Sequence, residues 1–436
     1  MAIFKNPADL LKALIRFDTS NPPGNEKECI LFIKKIFDKN GFETSLYAQN
    51  ERRPNLIARL KGRGSAPPFL MYGHVDVVPA KDDGWKYPPF EGALADDYLW
   101  GRGALDMKGG IAMMISALLR TKEEGVKPSG DIIFSALSDE ESGGNAGAKY
   151  LVENHPGQFE HVKYAIGEFG GFPVFVGKKR LYLIQIGEKQ ICWIKGKVTG
   201  RSGHAAHRIK DSAAAKLGRM LSTLGKKRLS VHIPKITRDM VTAMADNLPL
   251  HQAFFLKFLL NPLFTNLCID MLGERGDLFD PLFHHNANVT IINGGEKINV
   301  VPSEIHFQID GRILPGYQPD DLISEIKHLT KVDMDLEVAR YEPCSSEIDL
   351  THFEMLADIL REKDPGCIPI PFLMPAMTGA RFFSRLGIQT YGFTPMNLPK
   401  GFEFAKLVHS ENERIPVRCL EFGTQAIFSL IQRLNG

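Results

Sequence analysis

Cysteine is scarce in this chain and carries no pattern. Six residues (Cys29, Cys192, Cys268, Cys344, Cys367, Cys419) are spread over 436 positions with no C-x-x-C spacing. That excludes a thiolate zinc site and a disulfide framework, and fits a reducing compartment. Long apolar runs are absent too. The strongest, Leu250 to Leu263, is broken by His251, Gln252, Lys257, Asn261 and Pro262, too short and too polar to span a bilayer. Charge of one sign is also missing: 53 basic and 51 acidic residues leave a net +2, which argues against nucleic acid or another polyanion as partner. The opening Met1-Ala-Ile-Phe-Lys-Asn-Pro lacks a signal peptide's basic region and apolar run. The expectation is a cytoplasmic protein with no membrane and no nucleic-acid partner. There is no internal repeat.

What the chain has is length and alternation. It exceeds the ~250–300 residues at which a single core stops growing, so two domains are expected. Strand-like runs at Asn55–Leu60, Pro68–Tyr72, Asp131–Leu137 and Tyr164–Ile166 alternate with helical periodicity at Asp9–Asn40 and Ile111–Leu119. That alternation predicts an α/β fold, a mixed, largely parallel sheet with flanking helices. Near residue 188 the pattern changes. Strands at Gln190–Val198, Val289–Ile292, Glu304–Ile313 and Met334–Arg340, with helices at Ser212–Leu224 and Pro319–Thr330, give a β-α-β-β-α-β order. This reads as a smaller α+β domain of split-βαβ type. From residue 345 the α/β character returns, with a strand at Gln389–Phe393 and a last helix from Val417. The expected division is 1–187 plus 345–436 for one domain and an inserted 188–344 for the other. Residues 226–287 form a long insertion whose packing the sequence does not reveal.

The chemistry begins at Leu70-Met-Tyr-Gly-His74-Val-Asp76, an apolar strand breaking into a histidine and, two residues on, an aspartate. Side chains two apart on a strand share a side, so the carboxylate can hold the imidazole in one tautomer, as behind a metal-ligating histidine. Further candidates follow at the ends of elements. Asp106 sits in Gly101-Arg-Gly-Ala-Leu-Asp106-Met-Lys-Gly-Gly110, Glu140 and Glu141 in Ser138-Asp-Glu-Glu-Ser-Gly, Glu168 in Gly167-Glu-Phe-Gly-Gly171, and His409 before the last helix. Taken singly, each has an ordinary reading, as an N-cap aspartate or a solvated acidic loop. Together they supply two histidines and three or four carboxylates. That set suits zinc or a similar divalent ion, and a shared carboxylate suits two ions ~3.5–4 Å apart. Two dications against Asp106, Glu141, Glu168 and one bridging hydroxide sum to neutrality. Glu140 is then left to take the proton of the bridging water.

These motifs, with Thr19-Ser-Asn-Pro-Pro-Gly-Asn-Glu26 and Trp85…Pro89-Phe90, resemble the co-catalytic zinc exopeptidase family. That family includes glutamate carboxypeptidase, aminoacylase, acetylornithine deacetylase and succinyl-diaminopimelate desuccinylase. The resemblance implies His74 and Glu168 on one metal, Glu141 and His409 on the other, and Asp106 bridging. It makes Asp76 the orienter of His74 and Glu140 the general base, and it implies a cis peptide at Asp106-Met107. The inserted domain becomes a lid and dimerisation domain. There, Val198-Thr-Gly-Arg-Ser-Gly-His204-Ala-Ala-His207 is similar to the motif whose histidine stabilises the oxyanion in a partner subunit's site, and His204 fits better than His207. Asn299 and Arg312 resemble positions near substrate.

One stretch departs from the family: Ala376-Met-Thr378-Gly379-Ala-Arg381 has Gly379 where an acid is usual, which puts the support of Arg381 in question. The expectation is therefore a metal-dependent amidohydrolase or exopeptidase (carboxypeptidase, dipeptidase or deacylase). Its cofactors would be two divalent ions, zinc first, with cobalt or manganese accepted by the same ligands. Its substrates would be N-acyl amino acids or short peptides with a free carboxylate, cleaved by a homodimer. The alternatives are a non-catalytic binding or regulatory protein on the same fold, which predicts a lost base or ligand, and a cysteine hydrolase, for which no nucleophile motif exists.

Overall fold

The computed structural model describes residues 6–435 apart from 82 and 346. The chain divides into two compact units. The first comprises Met1–Ile186, Ile348–Phe372 and Thr378–Gly436; the second comprises Gly187–Glu347 and Leu373–Met377.

A nine-stranded sheet builds the first unit. Its order is Glu43–Tyr47, Asn55–Leu60, Ile132–Leu137, Phe69–His74, Tyr164–Gly167, Gln389–Gly392, Lys179–Glu188 and Ile368–Met374, with Phe172–Val176 paired to Lys179–Glu188. Pairing is parallel across the four central strands from Ile132–Leu137 to Gln389–Gly392 and antiparallel in the flanking pairs. The sequence dictates this mixture. Phe69–His74 and Ile132–Leu137 are buried at every residue, as strands covered by helices on both faces must be. The helix Lys108–Glu123 is buried along nearly its whole length. It packs closely on Val417–Arg433, where any Cβ at Gly423 would fall 1.9 Å from the Met113 sulfur.

In the second unit four antiparallel strands run in the order Asn286–Asn293, Glu304–Ile313, Gln190–Thr199 and Asp335–Glu342. Strict alternation in Glu304–Ile313 turns Ile305, Phe307, Ile309 and Ile313 inward, into one core with Leu217 and Met220 of the helix Ala213–Leu224 and Leu322 and Ile326 of the helix Pro319–Thr330. Ser212 caps the first helix, and a Gln318/Asp321 capping box starts the second. The insertion proves to be four short helices, Lys235–Asp246, Leu250–Leu259, Thr265–Met271 and Gly276–Phe283. They close on Ile236, Val241, Leu259 and Phe283 and are tied by Arg228 to Asp270 and Asp280. Among the described residues no helix is long and apolar enough to cross a membrane.

Two strands that the sequence reading missed have plain reasons. Ile368–Met374 carries Pro369 and Pro371, which mask a strand pattern and are tolerated because this strand ends the sheet. Lys179–Glu188 begins with two charges, and a tight turn at Gly177 (φ +62°) joins it to Phe172–Val176.

Candidate metal centre

Three parallel strands end side by side and aim the chain at one point. His74 closes Phe69–His74 opposite Leu137, Ser138 to Glu141 follow Ile132–Leu137, and Glu168 follows Tyr164–Gly167. The carboxyl ends of parallel strands are where open α/β sheets bind ligands. Asp106 arrives from the loop before Lys108–Glu123, across a cis peptide to Met107, and Met107, not Asp106, caps that helix. His409 comes from the loop before the last strand and helix, in a left-handed conformation (φ +63°).

The five side chains converge. His74 Nε2 lies 3.0 Å from Asp106 Oδ1 and 3.2 Å from Glu168 Oε2. His409 Nε2 lies 3.2 Å from both Asp106 Oδ2 and Glu141 Oε2. Asp106 thus divides its two oxygens between two clusters, each holding one further acid and one histidine.

The donor set fits divalent ions. His74 Nδ1 is 3.0 Å from the Asp76 carbonyl oxygen, which only accepts, so Nδ1 carries the proton and a neutral ring turns the Nε2 lone pair toward two carboxylate oxygens. That is repulsive unless a cation lies between them. Glu141 Oε1 is buried with no hydrogen-bond partner. The edges of a tetrahedron with zinc–ligand bonds of ~2.0–2.2 Å run ~3.3–3.6 Å, a few tenths of an ångström above the 3.0–3.2 Å separations observed. Without an ion the protons take that part. His409 is raised to about 10 by its bonds to Asp106 and Glu141. Burial opposes a charge on His74, but the surrounding carboxylates of Asp106, Asp76 and Glu168 outweigh it and raise its pKa. Burial pushes Glu140 well above the ordinary carboxylate range, and the nearby Glu168 charge adds to it.

Asp76 does more than face a histidine. Its carboxylate is 3.6 Å from His74 Nδ1, farther than its own carbonyl. It accepts instead the backbone N–H groups of Glu140 and Glu141, both at 3.1 Å, and the Asn21 amide at 2.8 Å. Fully buried, it fixes the turn that carries Glu140 and Glu141.

Comparison with known proteins agrees. Residues 70–433 match the family described as Peptidase family M20/M25/M40. The chain belongs to that family. It is 30% identical over 378 residues to the "Probable carboxypeptidase S-like 2" of Dictyostelium discoideum, covering 84% of this chain and 71% of that one. It is 28% identical over 391 residues to the human "N-fatty-acyl-amino acid synthase/hydrolase PM20D1", with 86% and 76% covered. Its fold is that of the M20 family metallo-carboxypeptidase Sso-CP2 from Sulfolobus solfataricus, with a TM-score of 0.68 at 15% identity and 98% of each chain covered. The protein is a metal-dependent hydrolase.

In this M20 member, the residues that sequence reasoning missed lie behind the five converging side chains. Glu413, fully buried, accepts the N–H of Leu105 (2.8 Å) and of Asp106 (3.2 Å) and pairs with Arg102 at 2.9 Å. Arg102 also donates to the Ser410 and His409 carbonyls, so one ion pair anchors both Asp106 and the His409 loop. Asn21 spans Asp76 and Asp139 (3.2 Å), and Arg53 joins Asp139 (2.8 Å) to buried Glu26 (2.7 Å). The Thr19–Glu26 stretch was the visible signal for this layer, and it counted toward the family resemblance without a role for Asn21 or Glu26. Arg381 does not lack support despite Gly379. Its guanidinium donates to the Thr378 and Gly143 carbonyls and lies 3.8 Å from Glu140. The Gly379 N–H meets Glu168 Oε1 at 3.1 Å.

His204, Asn299 and Arg312 belong to the second unit. His204 and Asn299 are exposed and adjacent, on a short ribbon where the Ala205 N–H donates to the Asn299 carbonyl at 3.1 Å. Arg312 lies on the four-stranded sheet with its fork engaged by Asp310 at 2.9 and 3.1 Å. The same unit gathers His232, His285 and Glu325. There His285 Nδ1 accepts the Leu314 N–H at 3.2 Å, which leaves a proton, not a lone pair, on Nε2. The two rings stack at 4.5 Å, and the group reads as a packed tie between the insertion and the helix Pro319–Thr330.

Proposed function

We propose that this protein hydrolyses an amide bond in N-acyl amino acids or short peptides bearing a free carboxylate. The observation that carries this reading is the Asp106 carboxylate, which faces one histidine–carboxylate pair with each oxygen. His74, Asp106 and Glu168 would hold one divalent ion, and Asp106, Glu141 and His409 the other, with zinc favoured by the N/O donor set. Bound there, the ions supply a polarising charge for the substrate carbonyl and lower the pKa of water.

The chain's own groups do the rest. Glu140, held at its N–H by Asp76 and flanked by Arg381, takes the proton of the attacking water and passes it to the departing amine. Buried Asp76 and Glu413 keep the ligands in place through the cycle. In the second unit, His204 is the proposed donor to the developing oxyanion, with Asn299 and Arg312 as proposed contacts for the substrate's carbonyl or carboxylate. Arg312 would have to exchange Asp310 for that carboxylate. A homodimer through the second unit and a cytoplasmic setting complete the proposal. Support for the latter comes from six free cysteines, five of them buried.

The test is release of free amine by metal-loaded protein from a panel of N-acyl amino acids and dipeptides. The expected outcome is turnover of at least one class, abolished by a chelator and restored by added divalent ion. Turnover untouched by a chelator, or none on the whole panel, would refute it.

A further inference from the structure

Next to the metal ligands stands a group of aromatic rings that the reaction as described does not use. Phe169 directly follows Glu168, and Phe404 lies five residues before His409. Their ring centroids are 5.8 Å apart, and both meet Phe172, at 5.2 and 4.3 Å, the second pair stacked. Phe372 closes the group at 6.0 Å from Phe169. Phe172 is buried, whereas Phe169, Phe372 and Phe404 are only half-buried, so the cluster has an apolar floor and an open apolar face.

The backbone is bent to present it. Phe169 has φ +63°, followed by Gly170 at +104° and Gly171 at +76°. A bulky residue in the left-handed region is rare and strained, and such residues concentrate where a site demands them. Here the conformation is pinned by the Gly171 N–H to Leu183 and the Thr394 N–H to Gly170. It turns an aromatic ring out at the first position after a metal ligand, where a solvated polar side chain would meet less strain.

We propose that Phe169, Phe172, Phe372 and Phe404 form the subsite for a bulky apolar group flanking the scissile amide, so that the preferred substrates are hydrophobic amides rather than acetylated or glycyl ones. This rests on the hydrolase reading above and names its substrate class. A subsite of this kind gains affinity with each methylene it removes from water.

The experiment uses two substrate series on the metal-loaded full chain. One lengthens the acyl group on a fixed amino acid from acetyl to decanoyl. The other enlarges the side chain of an N-acetyl amino acid from glycine to phenylalanine. The expected result is kcat/KM rising about two- to fourfold per methylene in at least one series, with the rise lost in Phe169→Ala and Phe404→Ala. A second measurement needs no variant: straight-chain alkanoates inhibit the wild-type protein, their inhibition constants falling with chain length. Hydrolysis with a flat profile in both series, or a slope unchanged by both substitutions, would overturn the subsite and leave the hydrolase reading standing. If no member of either series were cleaved, the hydrolase reading itself would fall, and the subsite with it.

Discussion

The two units treat their candidate site residues in opposite ways. Beneath His74 and Asp106 the first unit is closed: Asp76, Glu26 and Glu413 are fully buried, and each is bonded to named donors. In the second unit, His204 and Asn299 stand in solvent, and the inserted helices leave Leu250 at 90% and Leu263 at 86% exposure. A metal centre demands fixed geometry, and buried hydrogen bonds to backbone N–H groups are how this chain supplies it. The second-unit residues have no comparable scaffold within their own unit. The contrast predicts that substitutions behind the metal ligands act on catalysis and stability together, whereas those on the insertion's open face act on neither.

The sharpest way to break that contrast is Glu140→Gln. It should lower kcat by ~10²–10⁴-fold, the usual contribution of a positioned base, with metal content by mass spectrometry unchanged. Next is Glu413→Ala, which strands buried Arg102 and releases the Asp106 loop. Breaking a buried pair from one side costs ~3–5 kcal/mol, readable as a lower urea midpoint. Asn21→Leu removes the amide that bridges Asp76 and Asp139. A fall of ~10–100-fold in activity or metal affinity is expected, as for other outer partners of metal ligands. If Asn21→Leu were silent, the closed floor would be packing and nothing more.

In the second unit the proton is the probe. Burial pushes Lys189 down to about 7, with Pro281, His284 and Asn286 accepting its hydrogen bonds. An unfolded lysine titrates near ~10.4. Between those values the unfolded state binds a proton that the folded state does not, so stability should rise with pH from about 7 to ~10 and level off below 7, where both states are protonated. Lys189→Met should flatten this slope in urea midpoints measured across that range. The smallest effect belongs to Leu250→Ser and Leu263→Ser, expected within ±0.5 kcal/mol of wild type. A larger loss would mean that the open face is covered by something.

The residues that converge were legible because such chemistry forces residue types into short motifs at strand ends, where apolar runs such as Ile132–Leu137 stop abruptly at Ser138-Asp-Glu-Glu. The central strands were legible for the same reason, being apolar throughout. Glu413 was not, since nothing marks one acid in Ser410-Glu-Asn-Glu-Arg414 as the one that turns inward. Asp76 was read as the partner of His74, because spacing shows which side chains share a face and not which backbone N–H groups come within reach. Ile368–Met374 hid behind its prolines. In the insertion, the helix Leu250–Leu259 carries apolar residues on more than one face, with Leu256 and Leu259 buried but Leu250 and Phe254 exposed, so periodicity alone could not choose which face packs.

The central claim is that Asp106 joins two cation sites, and bound metal per chain tests it most directly. After loading with zinc and exhaustive dialysis, the account predicts two ions per chain in the wild type and one in His409→Ala, the site of His74 and Glu168 remaining filled. No retained ion, or a single ion indifferent to the loss of His409, would contradict it.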